Sequence, residues 1–437
     1  METQPHQPSH QPILQKIHDL FSIPLPIFVV KREVTYTLSF LLLFSFLLFL
    51  DLIHFFHPQS LLYIGFLSQV LPSYNQTSSS PKICDYSIGR WLSDDDRSRH
   101  ELYTEGCPFL DPGFRCHENG RTDYDYLKWR WQPDGCDLPR FNASELLERS
   151  RNGRIVFAGD SIGRNQWESL VCMLSQAVTN KSTIYEQNGS PITKHKGYLI
   201  IRFHEYNLTV EYYRVPFLVI LDRPPQNSSV QIKHAIRVDQ LHWYSQRWVG
   251  ANVLVFNAGH WWNADKTVKT GSYFQEGRTV NMTMDVKEAF RRSLSTWKSW
   301  VIENLDPETS YIFFRSYSPS HFRDQKWDEG GHCDTASAPE TNYTKLESKP
   351  WNNQCISQTI EQINDAKRNI QFLNITYLTG FRIDGHPSIH REPGTPLPIV
   401  QDCSHWCLPG VPDTWNELLY GHLLSKGFRT TKRKTNS

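Results

Sequence analysis

From residue 150 onward the chain alternates two kinds of segment, and this alternation limits the fold more than any other feature. Short, mainly apolar runs at 154–158, 253–256, 311–314 and 372–379 read as buried strands. Between them apolar residues recur at helical spacing: Val286, Phe290, Leu294, Trp297 and Val301, then Ile356, Ile360, Ile363 and Ile370. Strand and helix in alternation predict an α/β fold whose central, mostly parallel sheet is covered by helices on both faces. Residues 198–219, rich in β-branched and aromatic side chains, read as an inserted hairpin. Residues 84–140 differ: Trp, Asp, Gly and Cys with weak periodicity predict loops pinned by disulfides.

The first of these strands runs into Gly159-Asp160-Ser161, after which Trp167, Leu170, Val171 and Leu174 share one helical face. Ser161 is thereby placed between a strand and a helix, where open α/β sheets bind ligands. Gly159 beside it tolerates backbone angles closed to other residues. A helix N-terminus also offers unpaired N–H groups to a developing negative charge. Two readings follow: Ser161 is a nucleophile, or Asp160 and Ser161 only cap the helix.

A serine nucleophile needs a base, and the base needs an orienting carboxylate. Asp402 and His405, in QDCSHWC, are three residues apart, so one loop can deliver both. The following helix, with Trp415, Leu418, Leu419 and Leu423 on one face, would anchor that loop. Asn257, in FNAGHWW after the 253–256 strand, is placed to donate to an oxyanion alongside the Ser161 N–H. Trp261 and Trp262 read as a sugar-stacking wall or as core. Gly159, Arg164, Asn257 and Trp261 form the candidate oxyanion and substrate-contact set, whereas His260, His332, His386 and His390 read as structural or surface residues. Gly159 to Gly163 fits the G-x-S-x-G elbow of α/β-hydrolases. An Asp and a His three residues apart near the chain end point instead to the three-layer GDSL/SGNH esterase fold. Cys403, His405 and Cys407 lie in a single sulfur-rich loop, too little for a zinc site. No metal and no bound cofactor are expected.

All nine cysteines (84, 107, 116, 136, 172, 333, 355, 403 and 407) lie beyond residue 83. Ahead of them, residues 34–50 (VTYTLSFLLLFSFLLFL) carry no charge, at the lower length limit for a spanning helix. Lys31 and Arg32 precede this run, and no further Lys or Arg occurs until Lys82. The positive-inside rule then predicts a cytosolic tail (1–33), a transmembrane signal anchor (34–56), a polar stem (57–81), a lumenal domain (82–429) and a short tail (430–437). A cleaved signal peptide would have a shorter charged region and a small-residue cleavage site. Nine N-x-S/T sequons, at Asn75, Asn142, Asn180, Asn188, Asn207, Asn227, Asn281, Asn342 and Asn374, agree with a secretory lumen. In that compartment nine cysteines imply up to four disulfides and one free thiol. With 46 basic and 45 acidic side chains, the chain lacks the basic excess of a nucleic-acid binder. Lys432-Arg433-Lys434 reads as a solvated tail.

Taken together, GDSIGRNQWESL, FNAGHWW and QDCSHWCLPGVPDTWNELL resemble the plant trichome birefringence-like family of polysaccharide O-acetyltransferases, over nearly all of residues 82–425. The resemblance implies a single-pass type II Golgi membrane protein with an SGNH-like lumenal domain. It implies that Ser161 takes an acetyl group from a donor co-substrate and passes it to a hydroxyl of a cell-wall polysaccharide. Asp402 and His405 match the family's D-x-x-H pair, and Asn257 matches its N-x-G-H-W asparagine. The resemblance further implies disulfides Cys84–Cys136, Cys107–Cys172, Cys116–Cys407 and Cys333–Cys403, with Cys355 free. Ala258 stands where many relatives carry threonine. Within the family the chain is most similar to the subgroup linked to pectin (rhamnogalacturonan) rather than xylan acetylation. Two rivals use the same residues: an acetyl esterase, and a non-catalytic pectin-binding bridging protein that maintains esterification. An intact Ser/Asp/His set favours an enzyme.

Overall fold

Each apolar run becomes a strand, though not always over its whole length. The computed structural model describes Ser45, residues 84–94 and residues 102–430, except 327, 343–345, 347–349 and 367. The cytosolic tail, the stem, Asn75, residues 431–437 and all of 34–56 but Ser45 lie outside the described residues. Among the described residues no helix is long and apolar enough to cross a membrane.

From residue 84 on, the described residues open with an antiparallel pair, β1 (Gly89–Ser93) and β2 (Trp129–Pro133), followed by α1 (Ala143–Arg149), β3 (Arg154–Gly159) and α2 (Ser161–Ser175). Five strands come next: β4 (Ile184–Glu186), β5 (Tyr198–Phe203), β6 (Leu208–Arg214), β7 (Val219–Asp222) and β8 (His234–Leu241). The single turn α3 (Ser245–Trp248) leads to β9 (Val253–Asn257), β10 (Ser272–Glu276), β11 (Thr279–Asn281) and α4 (Val286–Asn304). The last part holds β12 (Tyr311–Arg315), α5 (Trp351–Asp365), β13 (Ile370–Leu373), α6 (Thr376–Gly380) and α7 (Val411–Ser425).

The main sheet has the order β13-β12-β9-β3-β6-β5-β4. It is parallel from β13 to β6, and β5 and β4 add antiparallel edges. Successive residues of β3 point to opposite faces, as the pleat requires. Ile155 and Phe157 join a core built with Trp167, Leu170, Trp415 and Leu418 of α2 and α7. Val156 and Ala158 join the opposite core, with Phe290, Leu294, Trp297 and Ile356 of α4 and α5. The expected three layers are present. β3 lies where the strand order turns outward in both directions, the place at which such sheets form a crevice beyond their carboxyl ends.

Three expectations need correction. The hairpin at 198–219 is not an insertion: β5 and β6 do pair antiparallel, but β6 is a central strand parallel to β3. The run 372–379 is not one strand, because the Ser316 hydroxyl accepts the N–H groups of Ile375 and Thr376 and turns the chain into α6. Ile370 does not continue the helical stripe of α5. The Asn364 side chain binds both backbone groups of Ile370 and starts β13 there. A four-stranded sheet, β11-β10-β8-β7, had no clear signal in the sequence.

The described residues of the 84–140 region are mostly loop, as expected, and are tied to the rest covalently. The structure pairs Cys84–Cys136, Cys107–Cys172, Cys116–Cys407 and Cys333–Cys403, and leaves Cys355 free and buried. These are the pairs the family resemblance implies. Cys116 and Cys407 are 291 residues apart in sequence, so their bond restricts the unfolded chain strongly. Replacing both with serine should cost about 2–5 kcal/mol in denaturant unfolding, and non-reducing peptide mapping should recover the linked peptides from wild type.

Candidate active site

Ser161 is the first residue of α2, directly beyond β3. Its Oγ lies 2.8 Å from His405 Nε2, and His405 Nδ1 lies 2.9 Å from Asp402 Oδ2. The spacing of Asp402 and His405 has a local cause. Asp402 Oδ1 accepts the backbone N–H groups of Ser404 and His405 at 3.2 and 3.0 Å, a turn in which the same carboxylate also meets the ring. A carboxylate can only accept, so His405 carries its proton on Nδ1 and turns the Nε2 lone pair toward the serine hydroxyl.

The 402–407 loop is fixed on every side. Asp402 exchanges two backbone hydrogen bonds with Ser388, and Cys403 O accepts from His321 N. Disulfides hold Cys403 and Cys407. Asn165, one turn after Ser161, clamps the loop to α2: its Oδ1 accepts from Trp406 N at 2.9 Å and its Nδ2 donates to Trp406 O at 3.1 Å. His386 Nδ1 donates to His405 O at 2.6 Å, and its Nε2 faces His321 Nδ1 at 2.7 Å. Burial holds His386 down at about 4, so it stays neutral.

Behind the serine, Asp160 is fully buried and caps α2 through Ile162 N and Gly163 N. It also accepts from Asn257 Nδ2 at 2.6 Å and faces His260 Nδ1 at 3.3 Å. Burial pushes this carboxyl up, but His260, Arg315 and the Asn257 bond outweigh that and hold it at about 2. The two glycines of G-x-S-x-G find their reason here. A Cβ at either Gly159 or Gly163 would overlap Asn257 Oδ1, because that amide fills the gap between the strand end and the first helical turn.

Residues 138–422 match the PC-Esterase family, described as a GDSL/SGNH-like acyl-esterase family found in Pmr5 and Cas1p, and residues 82–137 match the PMR5 N-terminal domain. Protein trichome birefringence-like 9 of Arabidopsis thaliana is 58% identical over 417 residues, which is 94% of this chain and 99% of that protein. Protein trichome birefringence-like 6 of the same plant is 44% identical over 82% of this chain and 74% of its own length. The chain belongs to the trichome birefringence-like family.

In this trichome birefringence-like chain the two matched segments meet at the site. The N-terminal segment supplies Cys116 to the loop disulfide and Arg121, which donates to the carbonyls of Asp384 and His386. Ser161, Asp402, His405, Gly159 and Asn257 are brought together, and Trp261 stands half-buried on the segment that leaves β9. Trp262 is core, 1% exposed. Arg164 is a correction: it turns inward rather than toward substrate, 2% exposed, with Nε 2.5 Å from Glu168 and a terminal nitrogen 3.4 Å from Asp111. Burial pushes the Glu168 carboxyl up to about 7 despite that cation. Of the two readings for His260, structural or surface, the structure takes the first, since its ring bridges Asp160 and Ser318 O. Asn165 joins the site without being among the sequence candidates; its signal is an amide one turn after the serine in GDSIGRN. Among the described residues no group of three or more His, Cys, Asp or Glu is arranged to hold a metal. Cys403 and Cys407 are both in disulfides and offer no thiolate.

Two outcomes follow. Burial lowers the His405 pKa, and the Asp402 carboxylate more than offsets this, raising it above the ordinary value of about 6.5. NMR titration should therefore place His405 above that value in wild type and below it in Asp402→Asn, where burial acts without the carboxylate. Gly163→Ala sets about 1 kcal/mol of helix propensity against an overlap costing about 1–3 kcal/mol. Urea unfolding should show a net loss; a gain would mean that the Asn257 amide can withdraw.

Proposed function

We propose that the protein is a polysaccharide O-acetyltransferase that works by double displacement through acetyl-Ser161. The observation that carries this reading is the unbroken chain Asp402–His405–Ser161 at the carboxyl end of β3. Ser161 Oγ attacks the carbonyl carbon of an acetyl donor while its proton passes to His405 Nε2, which returns it to the leaving group. Asp402 stays ionised, held far below the usual carboxylate range by His405 and Arg391 despite burial, and stabilises the imidazolium. A polysaccharide hydroxyl then loses its proton to His405 and attacks the acetyl carbon, and the departing Ser161 oxygen takes that proton back.

The oxyanion would be met by the Ser161 N–H, which lies outside the helix's own hydrogen bonds at its positive end. Asn257 Nδ2 would add its second N–H, the first being given to Asp160. Cell-wall polymers, pectin or a hemicellulose such as xylan, are the acceptors proposed.

We place this activity in the Golgi lumen, on a single-pass type II protein anchored by residues 34–56. Four disulfides support an oxidising compartment. The sequon asparagines at 142, 180, 188, 207, 227, 281 and 342 are exposed, as glycan carriers must be. Asn374 is half-buried, and the hydroxyl of its sequon partner Thr376 is hydrogen-bonded to Ser316 and Tyr317 O.

Brief incubation of the full chain with acetyl donor should add an acetyl mass to the Ser161 peptide, and polysaccharide acceptor should discharge it faster than water does. Ser161→Ala should abolish both steps while keeping oligosaccharide affinity, since the hydroxyl adds little to ground-state binding. Undiminished transfer by Ser161→Ala would overturn the mechanism. Discharge by water alone would make the protein an esterase. Binding without acetylation by any donor would make it a bridging protein.

A further inference from the structure

A cation reaches the Asp402 carboxylate without hydrogen-bonding to it. Arg391 Nη1 lies 3.7 Å from Asp402 Oδ2, the oxygen that also meets His405 Nδ1. Arg391 is set there by its own loop. Its backbone N–H donates to Ile389 O at 2.9 Å and its Nη1 to Val400 O at 3.3 Å, while Ser388 and Asp402 join the loop's two ends. Its Nε is buried, without a hydrogen bond among the described residues, 3.8 Å from Glu392 Oε2. Glu392 in turn pairs with Lys194 Nζ, and a Cβ at Gly113 would come within 2.9 Å of Glu392 Oε2. Alternating charges thus run outward from the triad: Asp402, Arg391, Glu392, Lys194.

The separation of Arg391 from Asp402 matters. A charge-assisted N–H···O bond is about 2.7–2.9 Å long. At 3.7 Å the guanidinium takes no lone pair that His405 needs, yet opposite charges within about 4–6 Å still act strongly on each other. Holding Val400 O requires only a neutral N–H, which an amide supplies. The positive charge beside Asp402 calls for another account. His405 is faced by Asp402 from its own loop, by Arg391 from the 389–400 segment, by Asp160 at the start of α2, and by the uncharged Phe114 ring at 5.7 Å. His386, against the His405 carbonyl, and His321 behind it are both pushed down by burial and stay neutral. Burial lowers the His405 pKa, Asp402 raises it, and Arg391 opposes Asp402. A base that must also return its proton serves best when it is not too strong.

We infer that Arg391 is a positioning residue for acetyl transfer: acting through Asp402, it steadies the carboxylate against His405 and balances part of its charge, so that the imidazole takes the Ser161 proton and still passes it to the leaving group. This rests on the reading of Ser161 as the acetyl carrier. Without the guanidinium, Asp402 and Asp160 act on His405 with less opposition, and the imidazole stays protonated to higher pH.

The test uses the full chain in detergent, with 4-nitrophenyl acetate as the acetyl probe. Acetyl-Ser161 formation is followed by peptide mass across a pH series, and the His405 ring is titrated by NMR. In Arg391→Gln the acid bend of the labelling rate and the His405 titration should both move to higher pH, with labelling at least about threefold slower on the acid side. Arg391→Lys should restore most of both, because it returns the charge. A loss of equal size at every pH, with the bend and the titration where wild type has them, would overturn the assignment, since a loosened loop alone gives that pattern. Wild type that takes no acetyl from the probe counts against the carrier reading. The His405 titration needs no donor and decides the role of Arg391 separately: an unmoved titration in Arg391→Gln overturns it.

Discussion

The hold of Asn165 on Trp406 carries the rest of the site, because it brings together residues separated by 241 positions in the chain. Ser161 and His405 approach within hydrogen-bonding distance only while the 402–407 loop stays against the first turns of α2. Each such bond adds about 0.5–1.5 kcal/mol net, but losing one partner in a buried setting leaves the other unmet at about 1–3 kcal/mol. That asymmetry makes the arrangement all-or-none. The fully buried Trp406 ring and the disulfides at Cys403 and Cys407 act in the same direction, one by excluding water and the others by restricting the unfolded chain.

Asp160, Asn257 and the two glycines form a second unit under the serine. A fully buried carboxylate is costly unless its oxygens are met, and here backbone N–H groups, an amide and an imidazole meet them at the positive end of a helix. With Asp160 held at about 2, its charge does not vary near neutral pH. The adjacent His386 is held neutral at about 4 and fixes the His405 carbonyl. His405 is thus flanked by groups of constant charge, which leaves it the one to exchange protons with Ser161.

The same strand ends that position the nucleophile also set what surrounds it. β6 and β9 leave the sheet on either side of β3, so Arg214 and Trp261 come together because their strands share a neighbour, not because of sequence proximity. The family's N-terminal segment reaches the loop through the Cys116–Cys407 bond, and its Arg121 holds the carbonyls of Asp384 and His386. A region of little regular structure therefore contributes to the rigidity of the site.

Much of this was legible in the chain itself, wherever the information is local. The strand–serine–helix junction, the D-x-x-H turn, the periodicities of α2 and α4 and the cysteine-rich loops each depend on neighbouring residues, and all appear as read. The misreadings share a cause. Ile370 and the 372–379 run continue an apolar pattern, but side chains of Asn364 and Ser316 redirect the backbone through hydrogen bonds that periodicity does not register. Arg164, one turn from the serine, reads as a substrate contact, yet Glu168 and Asp111 draw it inside. Sequence alone determined which chemistry the chain could hold, since residue type and short spacing decide that. Only the tertiary structure decided which of those residues meet: Asn165 with Trp406, Asn257 with both glycines, Arg214 with Trp261. Those contacts depend on strand order and packing, which no local pattern encodes.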